Sequence, residues 1–341
     1  MALTTDTPAG SDSNSGTSAA PWATFAHAFG VMTGGQSLFV KAGTYTQNIL
    51  GNSVPNGTNF SGGETKIVGA GIGQTIIKPS GAACIYFDQA KSNMEFSDLE
   101  LESPSHYGIY ITVADNLRFN NIYVHHCNSQ NIFIYNDADS IELINVESSF
   151  SGAPGGTPNC SSGTGICHGI YAEGTNILVE KCKLHDNNGN GIQWYPGPTN
   201  GTMKNCLVYD NGYFEGPPDQ GSGIIIQGTN IDILNCTIFN NEYIGIWVVA
   251  GSTGVDLKNC IVYSNNVFAD IYDPGSVANQ VTNRTDNPSF VNEGTHDLHL
   301  QSGSTSRNSG TNIAPAVTDD YDGNARPLGA GWDVGAYEYV E

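Results

Sequence analysis

Short apolar stretches recur along the chain in a fixed order, and their spacing is the most informative pattern in the sequence. Six of them follow a small or polar residue and read as strands: Gly108–Ile111, Asn131–Ile134, Gly169–Ala172, Gly191–Trp194, Gly223–Ile226 and Gly245–Val248. Each is followed by a second apolar stretch that ends on a polar-then-small pair, which begins at position 121, 145, 181, 205, 235 or 259. The intervals are 24, 36, 24, 30 and 24 residues, so a 24-residue unit carries insertions of 12 and 6. A fixed period in this range predicts a solenoid.

Each regular repeat contains three short strands. In the fourth they are His168–Glu173, Ile177–Glu180 and Cys182–His185. Side chains alternate between the two faces of a strand, so every second position points into the core. We expect Ile170, Leu178, Cys182 and Leu184 inside, and Tyr171, Glu173, Lys183 and His185 outside.

The repeats predict one continuous domain over residues 1–341, because a solenoid core grows lengthwise. Residues 1–35 form an N-terminal cap, in which Trp22, Phe25 and Phe29 lie at helical spacing in a short amphipathic helix. Residues 36–282 form the coils, and residues 283–341 form a C-terminal closing segment.

The bend between the second and third strands carries an asparagine in most repeats. We expect these side chains to form a ladder that satisfies turn polar groups. Lys181 replaces asparagine in the fourth repeat, either as an outward bend residue or as a charge that serves a site. Four cysteines follow this bend and should stack in the core as free thiols: Cys182, Cys206, Cys236 and Cys260. Cys160 and Cys167 both lie in the 12-residue insertion, where a disulfide between them would imply an oxidising compartment.

The formal net charge of -21 argues against nucleic acid as a partner, since nucleic acid requires a basic surface. It also disfavours a polyanionic substrate unless a cation or salt assists the encounter. No apolar run is long enough to span a membrane. Residues 1–6 do not resemble a signal peptide. We expect a secreted or cell-surface protein whose signal is absent from this sequence, with a monomer as the preferred state.

The three-strand coils and the asparagine bend resemble the right-handed parallel β-helix superfamily, which includes pectate lyases, polygalacturonases, alginate epimerases and phage tailspikes. The resemblance covers residues 36–270. The segments Gly10–Thr24 and Phe39–Tyr45 are similar to the opening of family 9 polysaccharide lyases and related secreted β-helix proteins, and Asp322–Glu338 resembles the closure of such proteins. The resemblance implies an all-β fold, a right-handed parallel β-helix with three short strands per coil and a short N-terminal capping helix.

The catalytic sets of these families are not matched. Family 9 lyases carry a calcium-binding aspartate cluster and a lysine base, whereas the corresponding first strands here carry Gly, Ile, Gln and Tyr. The paired aspartates of polygalacturonases and the tyrosine/aspartate/histidine motif of alginate epimerases are also missing. One fold hosts many chemistries, so activity must be argued from the site itself.

In this superfamily the substrate groove runs over the first strands, walled by the turns that precede them. The insertions at 151–167 and 213–222 both fall in that turn, and long loops on a rigid scaffold tend to carry function. We therefore expect the site in the fourth and fifth repeats. Aromatic and amide side chains there suit sugar rings and hydroxyls, although stacking within the sheet is the alternative reading. The predicted binding residues are Tyr110, Phe133, Tyr135, Gln193, Gln227 and Trp247, with Glu215 and Asp219 from the second insertion.

The predicted catalytic residues are Glu173, His168, Tyr171 and Tyr195. Glu173 is the only carboxylate in the first-strand column, and a carboxyl among aromatic rings can have a raised pKa and act as acid or base. His168 and Tyr171 together could instead abstract and donate protons in a lyase or epimerase reaction. Hydrolysis needs a second carboxylate, for which Glu215, Asp219, Asp137 and Asp186 are candidates.

Asp137 and Asp139 could bind calcium through oxygen ligands, although a polar turn is the alternative. The sequence identifies no other cofactor. The leading hypothesis is a secreted polysaccharide lyase or glycoside hydrolase acting in a groove over the first strands of coils three to six. The alternative is a non-catalytic carbohydrate-binding or cell-surface module.

Overall fold

The computed structural model describes residues 1–3, 10–103, 105–152, 167–212, 221–265 and 268–341. The chain divides into two compact units, residues 1–177 and 178–341. Both are built from parallel strands in stacked coils, as the 24-residue period predicts. The sole α-helix of the described residues is α1 (Phe25–Val31), beside two short 3-10 helices, Gly51–Ser53 and Glu293–Thr295. The prediction of one continuous domain stays a prediction.

Residues 1–177 form three stacks of parallel strands. Strands β4, β7, β9, β11 and β13 lie side by side in that order and form the first-strand sheet. In the last coils of this unit the second and third strands run together as the long strands β8, β10 and β12. The bend between the two parts of each strand lies at a residue with positive φ, namely Asp98, Asn121 or Asn145. The strands are β1 (Ala2–Leu3), β2 (Ser37–Val40), β3 (Gly43–Tyr45), β4 (Ile49–Leu50), β5 (Thr65–Val68), β6 (Thr75–Ile77), β7 (Ile85–Phe87), β8 (Ser92–Glu102), β9 (Ile109–Ile111), β10 (Asp115–His125), β11 (Ile132–Ile134), β12 (Asp139–Ser149) and β13 (Ile170–Ala172).

Residues 178–341 contain the same three stacks and an antiparallel pair, β27 with β28. The first strands are β16, β19, β22 and β25, the second strands are β14, β17, β20, β23 and β26, and the third strands are β15, β18, β21 and β24. The bounds are β14 (Leu178–Glu180), β15 (Lys183–His185), β16 (Ile192–Trp194), β17 (Thr199–Lys204), β18 (Leu207–Tyr209), β19 (Ile224–Ile226), β20 (Thr229–Leu234), β21 (Thr237–Phe239), β22 (Ile244–Val248), β23 (Val255–Lys258), β24 (Ile261–Tyr263), β25 (Ala269–Tyr272), β26 (Ala278–Val281), β27 (Phe290–Asn292) and β28 (Asp297–Leu300).

The predicted N-terminal helix is confirmed for Phe25 and Phe29, whereas Trp22 precedes it and forms a parallel bridge with Leu3. The Thr24 side chain caps α1 by accepting a hydrogen bond from the His27 N–H at 3.1 Å. Phe25 and Phe29 are buried, and the Phe25 ring lies 5.7 Å from the ring of Tyr45 in β3. The helix therefore covers apolar surface beside the first coil, as a terminal repeat requires.

The four-cysteine column is confirmed as a stack of buried free thiols. The Cys182 N–H donates to Cys206 Sγ at 3.3 Å, and the Cys206 N–H donates to Cys236 Sγ at 3.5 Å. These contacts follow from equal side-chain directions on successive parallel coils, which also keep the sulfurs from pairing as disulfides.

The asparagine ladder is confirmed, but at a different turn. It follows the third strands, where buried Asn187, Asn211, Asn241 and Asn265 are joined by Nδ2-to-Oδ1 hydrogen bonds of 2.9 Å. The bend asparagines that were expected to form it have positive φ, and most of their amides bond elsewhere. Asn235 Nδ2, for example, donates to the carbonyl of Asp333.

One side-chain orientation in the fourth repeat was predicted wrongly. Leu178 is only half-buried, because Ile177 and Val179 are the positions of that stretch that point inward. His185 lies outside the coil core as predicted but is buried there, with its ring stacked on Tyr209 at 4.9 Å. The other neighbour of Tyr209 is His296, at 4.5 Å, so the C-terminal segment covers this face.

The C-terminal segment packs along the coils of residues 178–341. Phe290, Leu298, Val334 and Tyr337 form one apolar cluster with third-strand side chains such as Phe239. Lys181 Nζ lies 2.6 Å from Asp319 Oδ2, so the lysine that interrupts the bend asparagines pairs with this segment.

Candidate functional site

One outward column of side chains follows the first-strand sheet of residues 1–177. Strand pairing places Leu50, Tyr86, Tyr110, Phe133 and Tyr171 in register on β4, β7, β9, β11 and β13. Period-two alternation sends the flanking residues of each strand into the core. The column is therefore the outward face that the repeat predicts.

The aromatic rings of this column stack on one another. The ring centroids are 5.4 Å apart for Tyr86 and Tyr110, and 5.3 Å for Tyr110 and Phe133, with the planes nearly parallel. Phe133 and Tyr171 follow at 5.2 Å with a tilt of 39°. A strand spacing of about 4.8 Å brings equivalent rings into contact. The faces of Tyr110 and Phe133 therefore contact neighbouring rings, and the column presents ring edges and hydroxyls. Tyr135, 40% exposed, is tilted 58° from Phe133.

Glu173 lies two residues beyond Tyr171 on the same outward side. Its carboxylate accepts hydrogen bonds from the Tyr171 hydroxyl and the Asn136 backbone N–H. Burial nevertheless raises the pKa of Glu173 above its usual value, and the two hydrogen bonds oppose that rise without cancelling it. The pKa of Tyr110 is raised by burial and by the nearby groups Tyr107, Tyr135 and Glu173. The carboxyl thus lies among tyrosine hydroxyls and holds its proton to a higher pH than a solvated glutamate.

His168 lies against the same tyrosine but is buried. Its ring stacks on Tyr171 with centroids 5.7 Å apart and planes 14° apart. Burial lowers the pKa of His168 to about 3, so the imidazole is neutral at ordinary pH. It is 2% exposed, which makes it a packing partner of Tyr171 in this geometry. Its predicted catalytic role stays a prediction.

Asp137 and Asp139 occupy the turn that supplies the Asn136 N–H. Asp137 is exposed, while Asp139 Oδ1 accepts hydrogen bonds from Asn176 Nδ2 at 2.7 Å and Ser140 Oγ at 3.0 Å. Nowhere in the described part of the chain do three His, Cys, Asp or Glu side chains converge to hold a metal ion. The calcium site predicted at Asp137 and Asp139 stays a prediction.

The other predicted residues with known placement belong to residues 178–341. Gln193 is in register with Ile225, and Ile225 with Trp247, on β16, β19 and β22. Gln193 Oε1 accepts a hydrogen bond from Asn190 Nδ2 at 3.1 Å. Trp247 packs 6.1 Å from the ring of Tyr272. The remaining three are exposed Tyr195, half-buried Gln227, and Asp186, which binds His185 Nδ1 at 2.7 Å.

Three predicted residues, Cys160, Glu215 and Asp219, lie outside the described residues. Cys167 is buried and disulfide-bonded. The Cys160–Cys167 pairing stays a prediction.

The sequence interpretation missed Leu50, Tyr86, Tyr107 and Asn136. Tyr86 was within reach of the pattern, because Ile85–Phe87 has the same alternation as Ile109–Ile111 and pairs with it in register. Asn136 contributes through its backbone N–H, for which a sequence carries no side-chain signal.

Comparison with known proteins gives one family and a set of similar folds. The family model described as "Pel9A-like, right handed beta helix region" matches residues 5–283. The solved structure of pectate lyase Pel9A is similar at 17% identity and a TM-score of 0.69, covering 100% of this chain and 97% of that chain.

Two further structures are more distant. The A-module of mannuronan C-5 epimerase AlgE4 from Azotobacter vinelandii has 16% identity and a TM-score of 0.51, covering 76% of this chain and 70% of that one. An alginate lyase from Paenibacillus sp. str. FPU-7 has 12% identity and a TM-score of 0.50, covering 76% of this chain and 95% of that one. At these identities the likeness shows the fold alone. No curated protein matches the chain.

Proposed function

The chain belongs to the Pel9A-like right-handed β-helix family, and from this premise we propose that it is a polysaccharide-active enzyme in which Glu173 transfers the proton. The observation that carries the proposal is the Glu173 carboxyl itself, which lies among tyrosines with a pKa raised by burial. A carboxyl with a raised pKa keeps its proton to a higher pH than a solvated glutamate, which suits it to protonate a glycosidic oxygen.

The substrate that fits best is a neutral polysaccharide. A uronate carboxylate beside Glu173 would need a cation to neutralise it. All five Lys and Arg side chains of residues 1–177 have other partners. Lys66, Lys78 and Arg118 pair with glutamates, and Lys41 and Lys91 donate to backbone carbonyls. The net charge of -21 adds a repulsion that a neutral chain avoids.

The chemistry that follows is hydrolysis. Protonated Glu173 donates its proton to the glycosidic oxygen as the bond from that oxygen to the anomeric carbon breaks. A water molecule attacks the anomeric carbon and gives up a proton to a second carboxylate. Asp137 is the candidate for that base, because it directly follows Asn136, whose N–H binds Glu173. A water-mediated mechanism of this kind inverts the anomeric configuration.

The test is incubation with a panel of neutral and uronic polysaccharides, with and without calcium. We expect new reducing ends from a neutral glycan without the ultraviolet absorbance of unsaturated uronates. Activity should fall by about 10³-fold or more in Glu173→Gln, since the proton donor is lost, and strongly in Asp137→Asn. Absorbance together with reducing ends would instead identify a lyase.

A non-catalytic carbohydrate-binding module is the second candidate. The observation that favours it is the row of stacked rings from Tyr86 to Tyr171, which also suits passive binding. Binding of a glycan without cleavage across the panel would favour this candidate and remove Glu173 from catalysis.

We further propose that the protein acts outside the cell, where polysaccharides of this kind are found. Among the described residues, none of the helical segments has the length and apolar character needed to cross a membrane. The monomeric state stays a prediction, and gel filtration with light scattering would test it.

A further inference from the structure

A cleft of about 360 Å³ lies at the N-terminal end of residues 1–177. Its walls come from α1, from the turn between β3 and β4, from Leu50 and from the turn that precedes β7. None of its lining residues was predicted from the sequence to belong to a site. Phe25 and Phe29 were predicted only as residues of the N-terminal helix.

The lining combines apolar surface with neutral polar groups. Phe25, Phe29 and Leu50 supply the apolar part, and Leu50 is 44% exposed. Thr46, Asn48 and Ser80 also line the cleft. Their side chains make no hydrogen bond within the described residues. No charged side chain lines it. Apolar surface with a few unused hydroxyl and amide groups suits an uncharged sugar.

The cleft lies at the head of the column that ends beside Glu173. Leu50 is in register with Tyr86, and the column continues through Tyr110 and Phe133 to Tyr171. Four strand spacings separate Leu50 from Tyr171, or about 19 Å. One spacing is close to the length of one pyranose unit, so the separation corresponds to about four sugar units.

We propose that this cleft is a distal subsite, which binds one sugar unit of a neutral glycan whose chain lies along the column and reaches Glu173. The inference rests on the proposed function. It adds a length requirement, because oligosaccharides shorter than about five units cannot occupy the cleft and the Glu173 site together.

Gly81 provides a way to close the cleft without disturbing the fold. It lines the cleft, is exposed, and a Cβ added there would meet no atom within 4 Å. A Gly81→Tyr side chain is therefore tolerated at this wall, and it is long enough to reach into the cleft. Gly303 is equally open but is not part of the lining, so Gly303→Tyr is the matched control. Asn48→Ala is a second, smaller change in the same wall.

The experiment is calorimetric titration of Glu173→Gln protein, which should bind without cleaving, with cello-, xylo-, manno- and malto-oligosaccharides of three and six units. In the series that binds, we expect the hexasaccharide to bind about tenfold more tightly than the trisaccharide, which is the gain expected from one additional subsite. Gly81→Tyr should bring that ratio close to one, and Asn48→Ala should reduce it. Gly303→Tyr should leave it unchanged.

Two results would overturn the subsite. The first is a ratio of hexasaccharide to trisaccharide affinity that Gly81→Tyr leaves unchanged, while Glu173→Gln still abolishes cleavage. This result would remove the subsite and leave the proposed function intact. If none of the oligosaccharides binds at millimolar concentration, and the wild-type protein cleaves no glycan of the panel, both proposals fail together.

Discussion

Single residues on the outward face of the first strands have chemical properties that neighbouring groups set. Glu173 is the clearest case, because burial raises its pKa while the Tyr171 hydroxyl lowers it. Removing that hydroxyl in Tyr171→Phe should therefore raise the pKa of Glu173 further. Since an acid catalyst works protonated, activity is lost as pH rises through this pKa. The alkaline limb of the kcat/KM profile should move to higher pH in the variant.

The control for this change is Tyr86→Phe. The Tyr86 hydroxyl donates to Asp88 Oδ2 at 3.0 Å and belongs to the same column of stacked rings. Its loss should leave the alkaline limb where it is. An alkaline limb that stays in place in Tyr171→Phe, or one that moves equally in both variants, would contradict the assignment of Glu173 as the acid.

His168 makes a second prediction at this scale, about stability. Its pKa is about 3 in the folded protein and near 6.5 when unfolded, so between these values the unfolded state binds the extra proton. Stability should therefore fall as pH decreases below about 6.5, by about 1.4 kcal/mol per unit. In urea denaturation at pH 7.5 and 5.0, His168→Phe should lose about 2 kcal/mol less than wild type.

The same variant examines the catalytic role predicted for His168. Phenylalanine keeps a flat ring against Tyr171 and has no proton to exchange. If the histidine only packs, His168→Phe retains most of the activity. A loss comparable to that of Glu173→Gln, in a variant that is folded by circular dichroism, would make His168 part of the chemistry.

The strands and turns show how far the sequence pattern reaches. The 24-residue period located six of the nine first strands of the described residues, since burying one face of each coil forces the same spacing on successive coils. It missed β4, β7 and β25, which lie in less regular coils. The asparagine ladder was predicted at the bend between the second and third strands, whereas it lies at the turn after the third strands. Both bends use residues with positive φ, for example Asn235 and Asn240. The amides of Asn205, Asn235 and Asn259 at the other bend donate to carbonyls of the C-terminal segment, and that is a long-range property.

The candidate site was predictable to the same extent. The outward positions of Tyr110, Phe133 and Tyr171 follow from alternation within each strand. Their mutual stacking was named as one of two alternatives, and the sequence could not decide between them because ring orientation depends on neighbouring coils. The burial of His168 and the hydrogen bond from Asn136 to Glu173 depend on contacts between coils that no local pattern records.

At the scale of the whole molecule, the C-terminal segment carries a sequence motif that has a physical reason. In Asp322–Glu338, Arg326 and Glu338 form a salt bridge of 2.8 Å in which both side chains are fully buried. Arg326 also donates to the carbonyls of Asp319, Asp333 and Gly335. A buried charge without its partner is strongly unfavourable, so each member of this pair requires the other.

Glu338→Gln should therefore destabilise the fold by about 3 kcal/mol, measured by urea denaturation at neutral pH, because the buried Arg326 guanidinium loses its ion-pair partner and keeps only the nearby charges of Asp320 and Asp333. The double variant Arg326→Met/Glu338→Gln should be less destabilised than the sum of the two single variants, since the guanidinium is then absent. Additive losses would mean that the two charges do not act as a pair. A loss below about 1 kcal/mol in Glu338→Gln would mean that the carbonyl partners of Arg326 alone are sufficient. Lys78→Met, which removes a more exposed pair with Glu102, should change stability by less than about 1 kcal/mol.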